Sequence, residues 1–187
     1  MLQIDECCKN WNNHYQITYY NVISMDPIIV IKNMILSMRE YQVKYQVSRQ
    51  CITNVQYLYD IITANLNYNV KTKAVFTMGY NNEKDATVIS GGHIVLLLDD
   101  ETIIEPSYEY YSLDNIVYYD NFEEFVNNFD DKGKDILNSQ ISIKKLISDY
   151  IRFNKISEQI NNGNFITTDR EHYDKQADYI ENIYSKV

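Results

Sequence analysis

At residue 70 the apolar residues change their period, and that change decides which folds are open to this chain. Before it, Cys51, Val55, Leu58, Ile62 and Leu66 recur at intervals of four, three, four and four, one continuous stripe along a helix. Ser48 is its expected cap. Further upstream, Ile28, Ile31, Ile35 and Met38 repeat at the same spacing behind Asp26-Pro27. An N-cap aspartate followed by proline at the first helical position predicts a helix from 27 to about 43. From 70 to 80 the run VKTKAVFTMGY is rich in β-forming residues and alternates at its start. Residues 81–84 read as a turn, 86–90 and 94–98 as strands, 99–101 as a tight acidic turn, and 102–105 and 115–119 as further strands. Helical patterns return over 120–131, 136–153 and 173–184, with a looser stretch over 161–168. Helices, an antiparallel sheet and helices again define an α+β fold.

The chain has 187 residues, enough for one full-sized core but not for two. A single domain over 1–187 is expected, with a core over about 26–130 and a helical extension over about 131–187. The net charge of −9 gives no electrostatic footprint for nucleic acid or an anionic membrane. The densest acidic stretch, Asp120 to Asp131, is interleaved with Phe122, Phe125, Val126 and Phe129, the spacing of one amphipathic helix with a solvated acidic face. No apolar run is long enough to span a bilayer, and the first residues, MLQIDECCKN, lack the basic and apolar segments of a signal peptide. Three cysteines, an odd number, argue against a disulfide framework. The expected compartment is therefore a reducing cytoplasm. The abundance of Tyr, Ile, Asn and Lys is what an AT-rich genome produces, which points to a large DNA virus, a protist or a low-GC bacterium. A viral chain would sit in host cytoplasm or the virion.

The chemistry lies in three residue types in a defined order. A thiol is a weak nucleophile until the thiolate is favoured. In the first turn of a helix, Cys51 meets unpaired N–H groups and the positive end of the helix dipole, which favour thiolate. His93 follows Gly91-Gly92 and opens an apolar strand, a position suited to a base. The two glycines would let another backbone, or a substrate, come close. Glu105 closes the next strand, and matched ends of a hairpin lie a few Å apart, so its carboxylate can orient the imidazole. Each residue alone has a plainer reading: a core thiol, a polar edge residue, a solvated strand end. Their order is more specific than any one of them.

Two runs carry a resemblance. CITNVQYLYDIITANLNYNVKTKAVFTMGY and HIVLLLDDETIIEPS resemble the transglutaminase-like core of the papain-like cysteine peptidase superfamily, over residues 51–107. That likeness implies a nucleophile helix packed on an antiparallel sheet, with flanking helices added here. It matches Cys51 to the nucleophile, His93 to the base and Glu105 to the third member. Glu105 stands where the family usually has Asp, and Ile94 follows His93 in place of a His-Ala-Trp run. The resemblance implies acyl transfer through a thioester: a cysteine peptidase or amidase acting on a peptide or protein substrate, with no cofactor. Hydrolysis fits better than cross-linking, since no amine site or calcium loop is evident. The oxyanion needs donors; the Cys51 N–H is one, and Tyr45, Gln46 and Gln50 are candidates for another.

Two other functions fit the same residues: a non-catalytic interaction domain in which Cys51 is core, and an N-acyltransferase using acyl-CoA. Tyr108, Tyr110 and Tyr111 are candidates to line a substrate cleft. The acidic balance suits a basic substrate or partner. Cys7-Cys8 with His14 is a poor metal set, because adjacent cysteines do not readily chelate one tetrahedral zinc. His172, among Asp169, Arg170 and Glu171, reads as a solvated surface residue. Nucleotide-binding glycine motifs and GxSxG are absent.

Overall fold

The computed structural model describes residues 26–66, 68–82, 85–99, 101–110, 114–140 and 142–184. Cys7, Cys8, His14, Tyr111 and residues 1–25 lie outside that set.

Helix α1 (Pro27–Lys44) begins as its sequence requires, with the Asp26 carboxylate accepting from the Ile28 N–H and proline in the first turn. It stops at a left-handed residue, Gln46 (φ 53°), where the Val47 N–H returns to the Gln42 carbonyl. Helix α2 (Cys51–Ile61) follows and widens into a π turn, Ile62–Leu66. Its N-cap is Gln50 rather than Ser48, so Cys51 is the first helical residue.

The sheet is open and antiparallel, in the order β3-β2-β1-β4. Strands β1 (Val70–Asn81) and β2 (Ala86–Leu98) pair over their full length, β3 (Ile103–Ile104) adds to β2, and β4 (Asp114–Tyr119) adds to β1. Residues 86–98 form one strand where two are predicted, so His93 is interior to a strand and does not open one. Gly91 adopts φ +98° at a bulge where the register slips between Thr77 and Met78. The glycines bend the strand without ending it.

A 3-10 turn at Tyr108–Tyr110 and helices α3 (Phe122–Asn127), α4 (Asp131–Gln140), α5 (Ile143–Asn161) and α6 (Arg170–Tyr184) complete the described elements. The acidic stretch is thus not one helix. It breaks after Asn128 so that Phe125 and Phe129 can both enter a small core with Phe76, Leu137 and Leu146. Nor is 136–153 continuous: Ser142 caps a new helix, its hydroxyl accepting from the Lys145 N–H.

The main core joins Val55, Leu58 and Ile62 of α2 and its π turn to Met34 and Met38 of α1, Ile94 and Leu96 of β2, Ile160 of α5 and Ile180 of α6. Each such side chain contributes about 1.5–3 kcal/mol by leaving water. Where β4 does not reach, the edge of β1 is closed by α5. Asn161 accepts from the Thr72 N–H at 2.8 Å and donates to its carbonyl at 3.0 Å, and Ser157 donates to the same carbonyl at 2.7 Å. Among the described residues no helix is long and apolar enough to cross a membrane.

Candidate active site

Cys51 begins α2, and the first N–H of that helix to find an intrahelical acceptor is that of Asn54, bonded to the Gln50 carbonyl. The N–H groups of the preceding positions stay available beside the thiol. Cys51 is half-buried and packs partly against the main core.

His93 is fully buried. Its Nε2 lies 2.6 Å from Glu105 Oε2. The pairing is diagonal and not end to end. Ile104 faces Leu96, so one further step sets Glu105 opposite Val95, on the face that His93 shares. The glutamate side chain spans that diagonal. Glu105 Oε1 accepts from the Ser107 N–H at 2.8 Å, and Oε2 also accepts from the Tyr118 hydroxyl at 3.4 Å.

The Cys51 thiol lies near the same imidazole and favours its charged form. With Nε2 held by Glu105, the nitrogen left to the sulfur is Nδ1, which meets no partner at strict hydrogen-bond geometry among the described residues. Burial by itself would lower the pKa of His93. The Glu105 carboxylate, with help from Cys51, outweighs it and pushes the imidazole up to about 10. Tyr110 stacks on the ring, centroids 3.9 Å apart and planes 26° apart, a placement that also favours an imidazolium. Tyr118 titrates above the usual tyrosine range, through burial and then the Glu105 charge.

Helix α1 holds the acid in place. Arg39 donates to the Glu105 carbonyl. Buried Gln42 donates to the Pro106 carbonyl at 3.1 Å and accepts from the Tyr108 N–H at 2.9 Å. From the other side the Glu109 carboxylate accepts from the N–H of Arg49, a left-handed residue two positions before Cys51 (φ 60°). Asn54 then ties α2 to the segment after Glu105, donating to Ser107 Oγ at 3.1 Å. Its carbonyl oxygen pairs with His172 Nε2 at 3.0 Å. His172 is therefore buried, not solvated: helix α6 docks on α2 and carries it inward.

The structure brings Cys51, His93 and Glu105 together, and it engages most of the other predicted residues elsewhere. Gln50 donates its amide to Asp169 Oδ2 at 3.0 Å and accepts from Thr53. Tyr45 packs on Tyr41 and Tyr179, and Gln46 is an exposed turn residue. Half-buried Tyr108 is held through its backbone. No side chain of these four is hydrogen-bonded toward the thiol among the described residues. Gly92 admits a backbone, as one expectation had it: a Cβ there would lie 2.8 Å from the Tyr150 nitrogen of α5. Sequence reasoning missed Arg39, Gln42, Asn54, Ser107, Tyr118 and the burial of His172. A signal existed for two of them, because Gln42 follows Met38 and Asn54 follows Cys51 at helical spacing, polar residues on apolar stripes. No group of three or more His, Cys, Asp or Glu among the described residues is arranged to hold a metal.

No family model, curated protein or solved structure matches this chain.

Proposed function

We propose that Cys51, His93 and Glu105 are the nucleophile, base and orienting acid of a cysteine-dependent hydrolase or acyltransferase acting on peptide or isopeptide bonds. The domain would be of the transglutaminase-like, papain-superfamily type. The observation that carries this reading is the buried 2.6 Å His93–Glu105 pair, with Cys51 near the same ring as the first residue of a helix.

In the proposed reaction His93 takes the proton of the Cys51 thiol, and the sulfur attacks the amide carbonyl carbon. A C–S bond forms and the carbonyl π pair moves to oxygen, facing the N–H groups of the first turn of α2. As the intermediate collapses the C–N bond breaks, and His93 gives its proton to the departing amine. Water, or a second amine, then attacks the thioester. His93 takes the incoming proton, and the acyl product leaves as the thiol is restored. Glu105 keeps the imidazole oriented and offsets its charge throughout.

The test is iodoacetamide alkylation of Cys51 in the folded chain across pH 4–9, resolved by peptide mass spectrometry. Reaction at neutral pH is expected, slowed by about a hundredfold or more in His93→Gln and His93→Ala. Glu105→Gln, which keeps the shape of the site, is expected to slow it less. Inertness of Cys51 until urea unfolds the chain would make it a packed core thiol and leave an interaction domain.

One observation favours a second reading. A groove of about 670 Å³ between α1 and β3 is walled by Ile28, Ile31, Ile35 and Ile104 and ends at Glu105 and Tyr110. That shape suits an aliphatic acyl chain, and turnover that requires acyl-CoA would select the acyltransferase.

A further inference from the structure

A second cavity, of about 730 Å³, lies at the carboxyl end of α1 against α6. Three tyrosines form its aromatic part. The Tyr41 ring lies 4.8 Å from that of Tyr45 and 5.4 Å from that of Tyr179, and Tyr45 meets Tyr179 edge-on at 6.2 Å. Its charge is mainly negative. Asp169, Glu171 and Asp178 line the cavity against one cation, Lys175, which is paired with Glu171. Burial raises the pKa of the Tyr41 hydroxyl, and of the charges acting on it Lys175 lowers it most, with Asp169 and Asp178 pushing the other way. Among the described residues the Asp178 side chain has no hydrogen bond or ion pair, and it is exposed. The carboxyl end of α1 adds the negative end of a helix dipole.

His172 lines the same cavity and stacks beside Tyr41, centroids 5.6 Å apart. Only 6% of it is exposed, and its Nδ1 has no partner among the described residues. Because Asn54 Oδ1 can only accept, the Nε2 facing it carries the hydrogen. Nδ1 is then a bare acceptor, and burial favours the neutral ring that keeps it so. The tyrosine π faces and the carboxylates favour a cation that bears N–H groups, and the His172 ring beside them holds a buried acceptor without a partner among the described residues. The chain itself shows the preference: Lys44, which does not line the cavity, places its Nζ 5.3 Å from the Tyr45 centroid and 5.2 Å from that of Tyr179.

The cavity adjoins the thiol's helix at two points. Asp169 takes the side chain of Gln50, which precedes Cys51, and His172 takes that of Asn54, three residues after it. We propose that this cavity is a subsite for a basic side chain, the guanidinium or ammonium group of an arginine or lysine in the peptide that Cys51 attacks. The assignment to a peptide rests on the function proposed above, whereas the choice of a cation rests on the cavity alone.

Two measurements separate those foundations. The first is the rate at which matched acetyl-tripeptide vinyl sulfones, carrying Arg, Lys, norleucine or Glu at one position, label Cys51. The basic probes are expected to label about tenfold faster than norleucine, with Glu slowest. Asp178→Asn and Tyr179→Leu should each narrow the Arg-to-norleucine ratio. Equal rates for all four probes at every position would overturn the subsite and leave the nucleophile standing. The second is titration of the Cys51→Ala protein with N-acetyl-arginine amide, read from the ring resonances of His172, Tyr41 and Tyr179. Saturable shifts that N-acetyl-glutamate amide fails to produce support the cation site. Such shifts alongside a Cys51 that no probe labels would keep the cation site and remove its role in catalysis. The absence of shifts would refute the site.

Discussion

His93 concentrates the electrostatics of this molecule in one ring. It is buried, yet its charged form is held by Glu105 and Cys51, so its pKa in the fold stands at about 10 against an ordinary value near 6.5. A base raised in this way adds stability that is complete below the unfolded-state value and disappears as pH climbs through the folded one. The expected outcome is a stability that declines between about pH 6.5 and 10, by on the order of a few kcal/mol in all. Urea midpoints at half-unit pH intervals measure it. In His93→Gln the decline over that window should flatten, and an unchanged slope would show that the pair is not charged in the fold. Residue identity alone suggested Cys51, His93 and Glu105, because thiol, imidazole and carboxylate stood in order on a helix, a strand and the next strand. It did not show how they meet. A matched hairpin end was expected, and the register gives a diagonal that a glutamate can bridge.

At the level of elements, the contact between β2 and α5 governs where the imidazole stands. The Tyr150 nitrogen would lie 2.8 Å from any Cβ at position 92, next to His93. Gly92→Ala must therefore push α5 from the sheet or twist β2. A loss of about 1–3 kcal/mol in denaturant unfolding is expected, together with slower alkylation of Cys51. A Gly92→Ala protein as stable and as reactive as the parent would show that the helix yields at no cost. The glycine pair was visible in the sequence, but its consequence was half misread. Local pattern cut 86–98 into two strands because Gly91-Gly92 looks like a break, whereas pairing with the full length of β1 carries the strand through it. The acidic stretch failed for a related reason. One helix was consistent with its spacing, and the demand of Phe125 and Phe129 for a common core overrode that spacing. The cap of α2 moved from Ser48 to Gln50 because Glu109 and Asp169, distant in sequence, fix the residues before Cys51. Long-range partners of this kind leave no mark on local periodicity.

Over the whole molecule, α6 is a structural part of the core rather than an addition to it. Tyr173, Ala177 and Ile180 are buried in the main cluster, and the Tyr173 hydroxyl donates to Asp60 of α2 at 2.8 Å. Thr167 bonds Thr53 at 3.0 Å, and the Ile166 N–H reaches Gln56 at 2.8 Å. Burial pushes the Asp60 carboxyl up to about 6, against the pull of Tyr173 and Gln56, so even its titration depends on α6 being docked. A chain ending at residue 164 is expected to lose its cooperative thermal transition and to bind a hydrophobic dye. A sharp transition in that truncated chain would show instead that residues 26–164 fold without it.

The ties from Gln50 to Asp169 and from Asn54 to His172 span 119 and 118 residues. On a ribosome, Cys51 emerges long before either partner has been made. The first turn of its helix can be pinned only when the segment carrying Asp169 and His172 has been made and is free to dock. A nascent chain that stops short of His172 thus carries the Cys51 thiol without its full setting.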